Sequence, residues 1–208
     1  MNIAIIGAGA GIGLESVKQA LEKGHKVTAL STNTNHINDH PNLIKINGSA
    51  TSPFDLKKAI NDSEAVLITV GTKNKKATTL FSDIAKTLIL VSSELNFSSP
   101  VFVITGFGAG ESKNYLSFFM RTVISLFLKD QYINKTEMEE LIVKSDLKWE
   151  IIRPGMLTNG SAASTYKVLS VLQKGMKVGK ISRADVANFL VDEAENQRFI
   201  YQYVALSN

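Results

Sequence analysis

A doubly wound α/β fold, in which a mostly parallel sheet carries helices on both faces, is what this sequence predicts, and three observations predict it. Short runs rich in Val, Ile and Ala recur at 3–6, 65–70 and 101–105 without polar alternation, the pattern of parallel strands covered on both sides. Segments with apolar residues at helical spacing separate them. The first strand meets the first helix through Gly7-Ala-Gly-Ala-Gly11-Ile-Gly13, a turn almost without side chains. At 208 residues the chain suits one domain over 1–208, with a small C-terminal lobe on the substrate side.

The opening unit organises the rest. Ile3-Ala-Ile-Ile6 reads as a buried strand, and Val17, Ala20 and Leu21 place an apolar stripe on a helix that stops at Gly24. A second strand, 26–30, completes a βαβ unit within about 30 residues. A glycine turn in that position lets backbone N–H groups at a helix start approach a diphosphate, favoured by the positive end of the helix dipole. The fold is therefore expected to be of the Rossmann type, with Gly7, Gly9, Ala10, Gly11, Ile12 and Gly13 around the diphosphate. A glycine turn that merely lets helix and strand pack closely is the plainer alternative.

The end of the second strand selects between nicotinamide cofactors. A carboxylate there would hold the ribose hydroxyls of NAD and repel a 2′-phosphate. This chain has Ser31, Thr32 and Asn33, with His36 nearby, so the expected cofactor is NADP rather than NAD. A third strand at 43–46 ends in Asn47, Gly48, Ser49 and Ala50. Ser52 followed by Pro53 and Asp55 signals a helix start, with a helix to about 60. The run at 65–70 reads as a central strand ending in Val70, Gly71, Thr72, Lys73 and Asn74, where a cofactor crossing the strand ends would lie.

From Thr79, the spacing of Leu80, Ile84 and Leu88 marks a further helix, and 101–105 a fifth strand that runs into Thr105, Gly106 and a glycine-rich loop. The segment 118–128 is apolar around most of a helical circumference. It is expected to be buried, a lid over the site and a subunit contact being the alternatives. A helix at 135–144 and a strand at 149–153 follow. Pro154, Gly155, Met156 and Leu157 after that strand complete the candidate cofactor-binding set. Ser182, with Asp185 three residues on, opens a helix to about 195, and 201–205 alternates as a last strand.

Composition excludes several classes. A hydrophobic content of 44% against 20% charged residues rules out a disordered chain. The net charge of +4 comes from scattered lysines, not the dense basic stripe of a nucleic-acid binder. No cysteine is present, so thiolate chemistry and disulfides are excluded, and His25, His36 and His40 lack zinc spacing; no metal is expected. The apolar run 118–128 carries Arg121 and is too short to span a membrane. The first strand begins almost at residue 1, leaving no room for a leader, so cytoplasmic residence is expected.

Six segments together resemble a known group: Ile3-Ala-Ile-Ile-Gly-Ala8, Val27-Thr-Ala-Leu30, Gly71-Thr-Lys-Asn74, Thr105-Gly-Phe-Gly-Ala-Gly-Glu-Ser112, Leu147-Lys-Trp-Glu-Ile-Ile-Arg-Pro-Gly155 and Gly179-Lys-Ile-Ser-Arg-Ala-Asp-Val-Ala187. Over nearly its whole length the chain resembles the atypical branch of the short-chain dehydrogenase/reductase superfamily, the NAD(P)H-binding group that contains biliverdin reductase B (flavin reductase) and NmrA-like proteins. It departs from the flavin reductase at four positions: Thr32 and His36 stand where arginines would, Ser49 where an aspartate would, and Gly106 where a serine would. The tyrosine-dependent branch uses Tyr-x-x-x-Lys, which is absent here: the fourth residues after Tyr115, Tyr132 and Tyr166 are Phe119, Thr136 and Ser170.

Hydride transfer belongs to the cofactor, and a flavin or quinone can take its proton from solvent. The resemblance therefore implies an NAD(P)H-dependent oxidoreductase acting on a flat conjugated acceptor. The alternatives are a non-catalytic cofactor-sensing regulator of the NmrA-like type and a nucleotide-sugar epimerase or dehydratase. Lys135 is the candidate catalytic side chain, because the helix it is expected to open resembles one that carries active-site groups in related proteins; a solvated surface lysine is the alternative. The expected partners are the dinucleotide and a small-molecule acceptor, with monomer and homodimer both open.

Overall fold

The computed structural model describes residues 1–72, 77–163, 165–173 and 176–208. Its strands are β1 (Asn2–Ile6), β2 (Lys26–Ser31), β3 (Leu43–Asn47), β4 (Ala65–Ile68), β5 (Val101–Ile104), β6 (Trp149–Pro154), β7 (Met156–Thr158), β8 (Lys167–Leu169), β9 (Lys180–Ser182) and β10 (Tyr203–Ser207). Eight form one sheet in the order β3-β2-β1-β4-β5-β6-β10-β8. All pair in parallel except β8, which runs antiparallel to β10 at the edge. Strands β7 and β9 make a separate parallel ribbon, with Leu157 opposite Ile181.

Helices α1 (Gly11–Glu22), α2 (Pro53–Ile60), α3 (Leu80–Leu95), α4 (Phe118–Val123), α5 (Lys129–Val143) and α6 (Arg183–Asn196) complete the chain. Successive residues of a strand point to opposite faces. Ile3 and Ile5 of β1 accordingly join a core beneath α1 and α6, whereas Ala4 and Ile6 join one beneath α2, α3 and α5. Phe81, Phe102 and Phe189 are fully buried in these layers, and each such side chain contributes roughly 1.5–3 kcal/mol. The mostly parallel, two-faced sheet is the Rossmann-type class expected from the strand runs.

Local signals placed most boundaries. Ser52 and Ser182 cap α2 and α6, each accepting from the backbone N–H of the aspartate three residues on. Elsewhere the structure differs. Strand β4 ends at Ile68, after which Thr69 donates its hydroxyl to Ile6 O at 2.9 Å and the chain crosses above Gly7. The last strand starts at Tyr203 instead of 201. Tyr201 sits at φ +62°, in a turn that sends its N–H to Trp149 O at 2.7 Å. Helix α5 begins six residues before the expected start.

The expectation that 118–128 is buried is overturned. Phe118 and Phe119 are 87% and 67% exposed, Leu126 and Phe127 are also exposed, and Ile124 alone in the segment is buried. The reason is that α3 and α5 already cover the adjacent sheet face, so the segment stands outside the core. Among the described residues no helix is long and apolar enough to cross a membrane.

Candidate active site

Strand order reverses beside β1, which has β2 on one side and β4 on the other. In open α/β sheets the crevice beyond the carboxyl ends at such a reversal is the binding place. Four glycines meet there with different duties. A β-carbon on Gly13 would lie 2.3 Å from Gly7 O, and one on Gly9 would lie 2.2 Å from Asn33 O. Both serve close packing of the chain on itself. Gly11 is different: at φ +59° it adopts a backbone state that other residues resist, and the nearest atoms to a β-carbon there would be Arg183 Cδ and Nε, at 3.6 and 3.7 Å.

The start of α1 is open. Ala10 precedes it in an extended conformation, no side chain caps it and its first turn holds no acid. The first N–H groups of a helix need partners from outside it, and the dipole makes an anion the preferred one. Helices α2 and α6, with serine caps and Asp55 and Asp185 in their first turns, have already met that need internally. Ile12 of the turn buries its side chain in the core and offers only backbone.

Next along the edge, the β2 end exposes Thr32 and Asn33, while the Ser31 hydroxyl accepts from Asn33 N at 3.3 Å. After β3, Gly48 lies against the Asp55 carboxylate, which accepts from Ser49 N at 2.9 Å. Ala50 is half-buried beside them. Val70 crosses over Gly7, followed by Gly71 and Thr72; Lys73 and Asn74 lie outside the described residues.

At the β5 end, two side chains of α5 converge on Gly106. A β-carbon there would lie 3.0 Å from Tyr132 Oη and 3.7 Å from Lys135 Nζ. Lys135 sits in the second turn of α5 rather than opening it, and is partly buried rather than solvated. Its ammonium donates to Thr105 O at 2.6 Å and lies 5.2 Å from the Phe81 ring centroid and 5.3 Å from that of Tyr132. Desolvation brings its pKa down to about 8, opposed by the nearby Glu139 carboxylate. Burial likewise pushes the Tyr132 phenol up to about 12, keeping it neutral. The pair is invisible to the Tyr-x-x-x-Lys spacing because Tyr132 and Lys135 are three apart, and residues three apart also share a helix face.

Thr105 is at the same strand end, but its hydroxyl turns inward and donates to Glu139 at 2.6 Å. Glu139 in turn takes both Nε and Nη2 of the buried Arg153, whose guanidinium lies 4.0 Å over the Tyr203 ring. Beyond β6, Pro154 ends the strand and Gly155 packs against Gly179, where a β-carbon would be 2.2 Å from the carbonyl oxygen. Met156 is exposed and Leu157 half-buried. Beside them a groove of about 780 Å³ is walled by Phe107, Tyr115, Leu116, Met120, Met176 and Val178. That volume is within the usual range for small-molecule sites. Leu116 and Tyr132 both close on Gly108, which links the groove to the tyrosine.

An open helix start behind a glycine turn, at the reversal of a parallel sheet, defines a dinucleotide-binding α/β protein. Residues 7–197 match the family model described as NAD(P)H-binding, and the chain belongs to that family. Solved structures share the fold over the full length of this chain. A short-chain dehydrogenase/reductase from Veillonella parvula in complex with NADP superposes with a TM-score of 0.84 at 17% identity, over 94% of that chain. ChuY, an anaerobilin reductase from Escherichia coli O157:H7, gives 0.78 at 21% identity over 97%. A candidate NADH-flavin reductase from Streptococcus pneumoniae gives 0.79 at 21% identity over 99%. The chain thus has an NAD(P)H-binding, oxidoreductase-like fold.

Proposed function

We propose that this protein is an NADPH-dependent reductase that passes hydride to a flat conjugated acceptor of the flavin or quinone kind. One observation carries the reading: the Tyr132 hydroxyl and the Lys135 ammonium converge where Gly106 lacks a side chain, next to a groove of mixed lining, with Phe107, Leu116 and Met120 beside Asn114, Ser117 and Lys177. The bound dinucleotide supplies the hydride. The residues at the strand ends fit such a group, since the open α1 start accepts a diphosphate and the glycine-rich edge leaves room above the sheet. Phe107, Leu116 and Met120 would hold a planar acceptor by contact and exclude water, while Tyr132 stays protonated and Lys135 lies beside it as a charge.

NADPH is preferred over NADH because Ser31, Thr32 and Asn33 present hydroxyls and an amide with no carboxylate to repel a 2′-phosphate. The reductases and the NADP complex among the structural neighbours support an NAD(P)H-binding reductase at the level of fold, and one of them, the Streptococcus pneumoniae protein, is described for NADH. In the test, binding of NADH and NADPH is compared calorimetrically, and oxidation of the tighter one is followed with riboflavin, FMN and a benzoquinone. Turnover above the acceptor-free rate supports the reading. Binding without turnover of any acceptor favours instead a cofactor-sensing regulator, a role to which the exposed Phe118 and Phe119 would suit a protein partner.

A further inference from the structure

We propose that Arg183 is the cationic clamp of the diphosphate, a role resting on the dinucleotide-binding reading above. The residue opens α6 directly after its cap, Ser182, and its side chain reaches back to the mouth of the glycine turn. Cδ and Nε stand 3.6 and 3.7 Å from the point where Gly11 would carry a β-carbon, and they are the atoms nearest to that point. Gly11 is the member of the turn that the chain's own packing does not crowd, so whatever lies on the open start of α1 lies against Arg183. The two share one groove with Asn159, Gly160 and Ser161.

The electrostatics favour the assignment. Arg183 Nη1 donates to Asn159 Oδ1 at 2.6 Å, a neutral amide that orients the guanidinium without cancelling its charge. Glu22 lines the same groove from the far end of α1, and the two carboxylates nearer Arg183 have partners of their own. Asp185 accepts from the Ser182 hydroxyl at 2.7 Å and from Ala163 N at 2.8 Å, and Glu15 pairs with Lys18 at 2.9 Å. A helix start is equivalent to about half a positive charge, which leaves most of the two negative charges of a diphosphate uncompensated. A guanidinium opposite the helix start supplies the remainder, and its planar fork matches two phosphate oxygens at once. The turn would then grip from below with amides and α6 from the side with a cation.

The test uses the full chain and its Arg183→Gln and Arg183→Lys variants, titrated with NADPH and with NADH. A charge-assisted bond of this kind is worth about tenfold to a hundredfold in affinity. Arg183→Gln is expected to lose that much for both nucleotides by the same factor, since the diphosphate is common to them, and Arg183→Lys to lose less. Circular dichroism melts confirm folding; should Arg183→Gln fail to fold, an equal intermediate loss for both nucleotides in Arg183→Lys carries the same reading. Wild-type affinity in Arg183→Gln overturns the proposal, as does a loss confined to NADPH, which would make Arg183 a reader of the 2′-phosphate. If the wild-type chain binds neither nucleotide, the dinucleotide reading itself falls.

Discussion

Tyr132 and Lys135, three residues apart on α5, bring a neutral hydroxyl and a partly desolvated ammonium to the same place, the point where Gly106 would carry a β-carbon. The absence of a side chain at 106 is what makes room for both. Adding one is therefore an informative change. In Gly106→Ala the new methyl meets Tyr132 Oη at 3.0 Å, tighter than an ordinary contact, so the phenol must move by a few tenths of an ångström. Misplacement on that scale costs about tenfold in turnover. The expected outcome is a lower kcat with the acceptor that works best, by a larger factor than any loss of NADPH affinity, read from steady-state kinetics beside a binding titration.

The lysine sets a pH limit. Its pKa is lowered to about 8 by desolvation, so the protonated form, the one with a proton and a charge to offer, is present below that value and lost above it. If Lys135 assists reduction, kcat falls as pH rises through about 8. Lys135→Arg, which stays charged, should push that fall beyond the measurable range. Lys135→Gln should remove the dependence and lower the plateau. A rate for the wild-type chain that is flat from pH 7 to roughly 9.5 would show that this ammonium takes no part.

How far the sequence discloses all this depends on the range over which each feature is decided. The caps of α2 and α6 were legible because Ser52 with Asp55 and Ser182 with Asp185 settle the matter within one turn. The glycine turn was legible because strand, turn and helix adjoin. Burial of 118–128 was not, since its apolar residues say nothing about whether the sheet face beside them is vacant, and α3 with α5 had filled it. The β7–β9 ribbon was invisible for a related reason: two three-residue strands pair Met156 with Lys180, and neither is long enough to show a period. Arg183 stands between the cap Ser182 and Asp185, a signal that places the helix start but not the reach of the side chain, and its approach to Gly11 arises from packing of α6 beside α1.

The glycines of the turn should separate into two kinds under substitution. Gly13→Ala places a methyl 2.3 Å from Gly7 O, backbone against backbone where neither helix nor strand can yield cheaply. Overpacking of that kind costs about 3 kcal/mol, a drop of roughly 6–12 °C in Tm for a chain of this size. Gly11→Ala meets only the side chain of Arg183, and its cost is that of a left-handed conformation, about 1–2 kcal/mol. Its larger effect should fall on nucleotide affinity, because the methyl stands between the α1 start and Arg183. Thermal melts of both variants, with and without NADPH, check the contrast. Equal losses of stability and of affinity in the two would mean that the turn serves packing alone.

Glu150 predicts how the fold responds to alkali. It is fully buried on β6, and burial first, then the neighbouring Glu193 carboxylate, raise its pKa from an ordinary 4.5 to about 9, with Arg198 opposing. The folded chain thus holds a proton there that the unfolded chain gives up near 4.5. Where the folded state binds more protons, stability falls as pH rises. The contribution is complete below pH 4.5, diminishes steadily above it and is gone once the folded group ionises above about 9. Glu150→Gln replaces the protonated acid with a neutral isostere and should flatten the stability curve above pH 4.5, with Tm close to that of the parent at or below that pH and higher than the parent's by a growing margin as pH rises towards 9. Urea unfolding at intervals between roughly pH 5 and 10 measures the slope. If parent and variant lose stability in parallel over that range, Glu150 is not the group responsible.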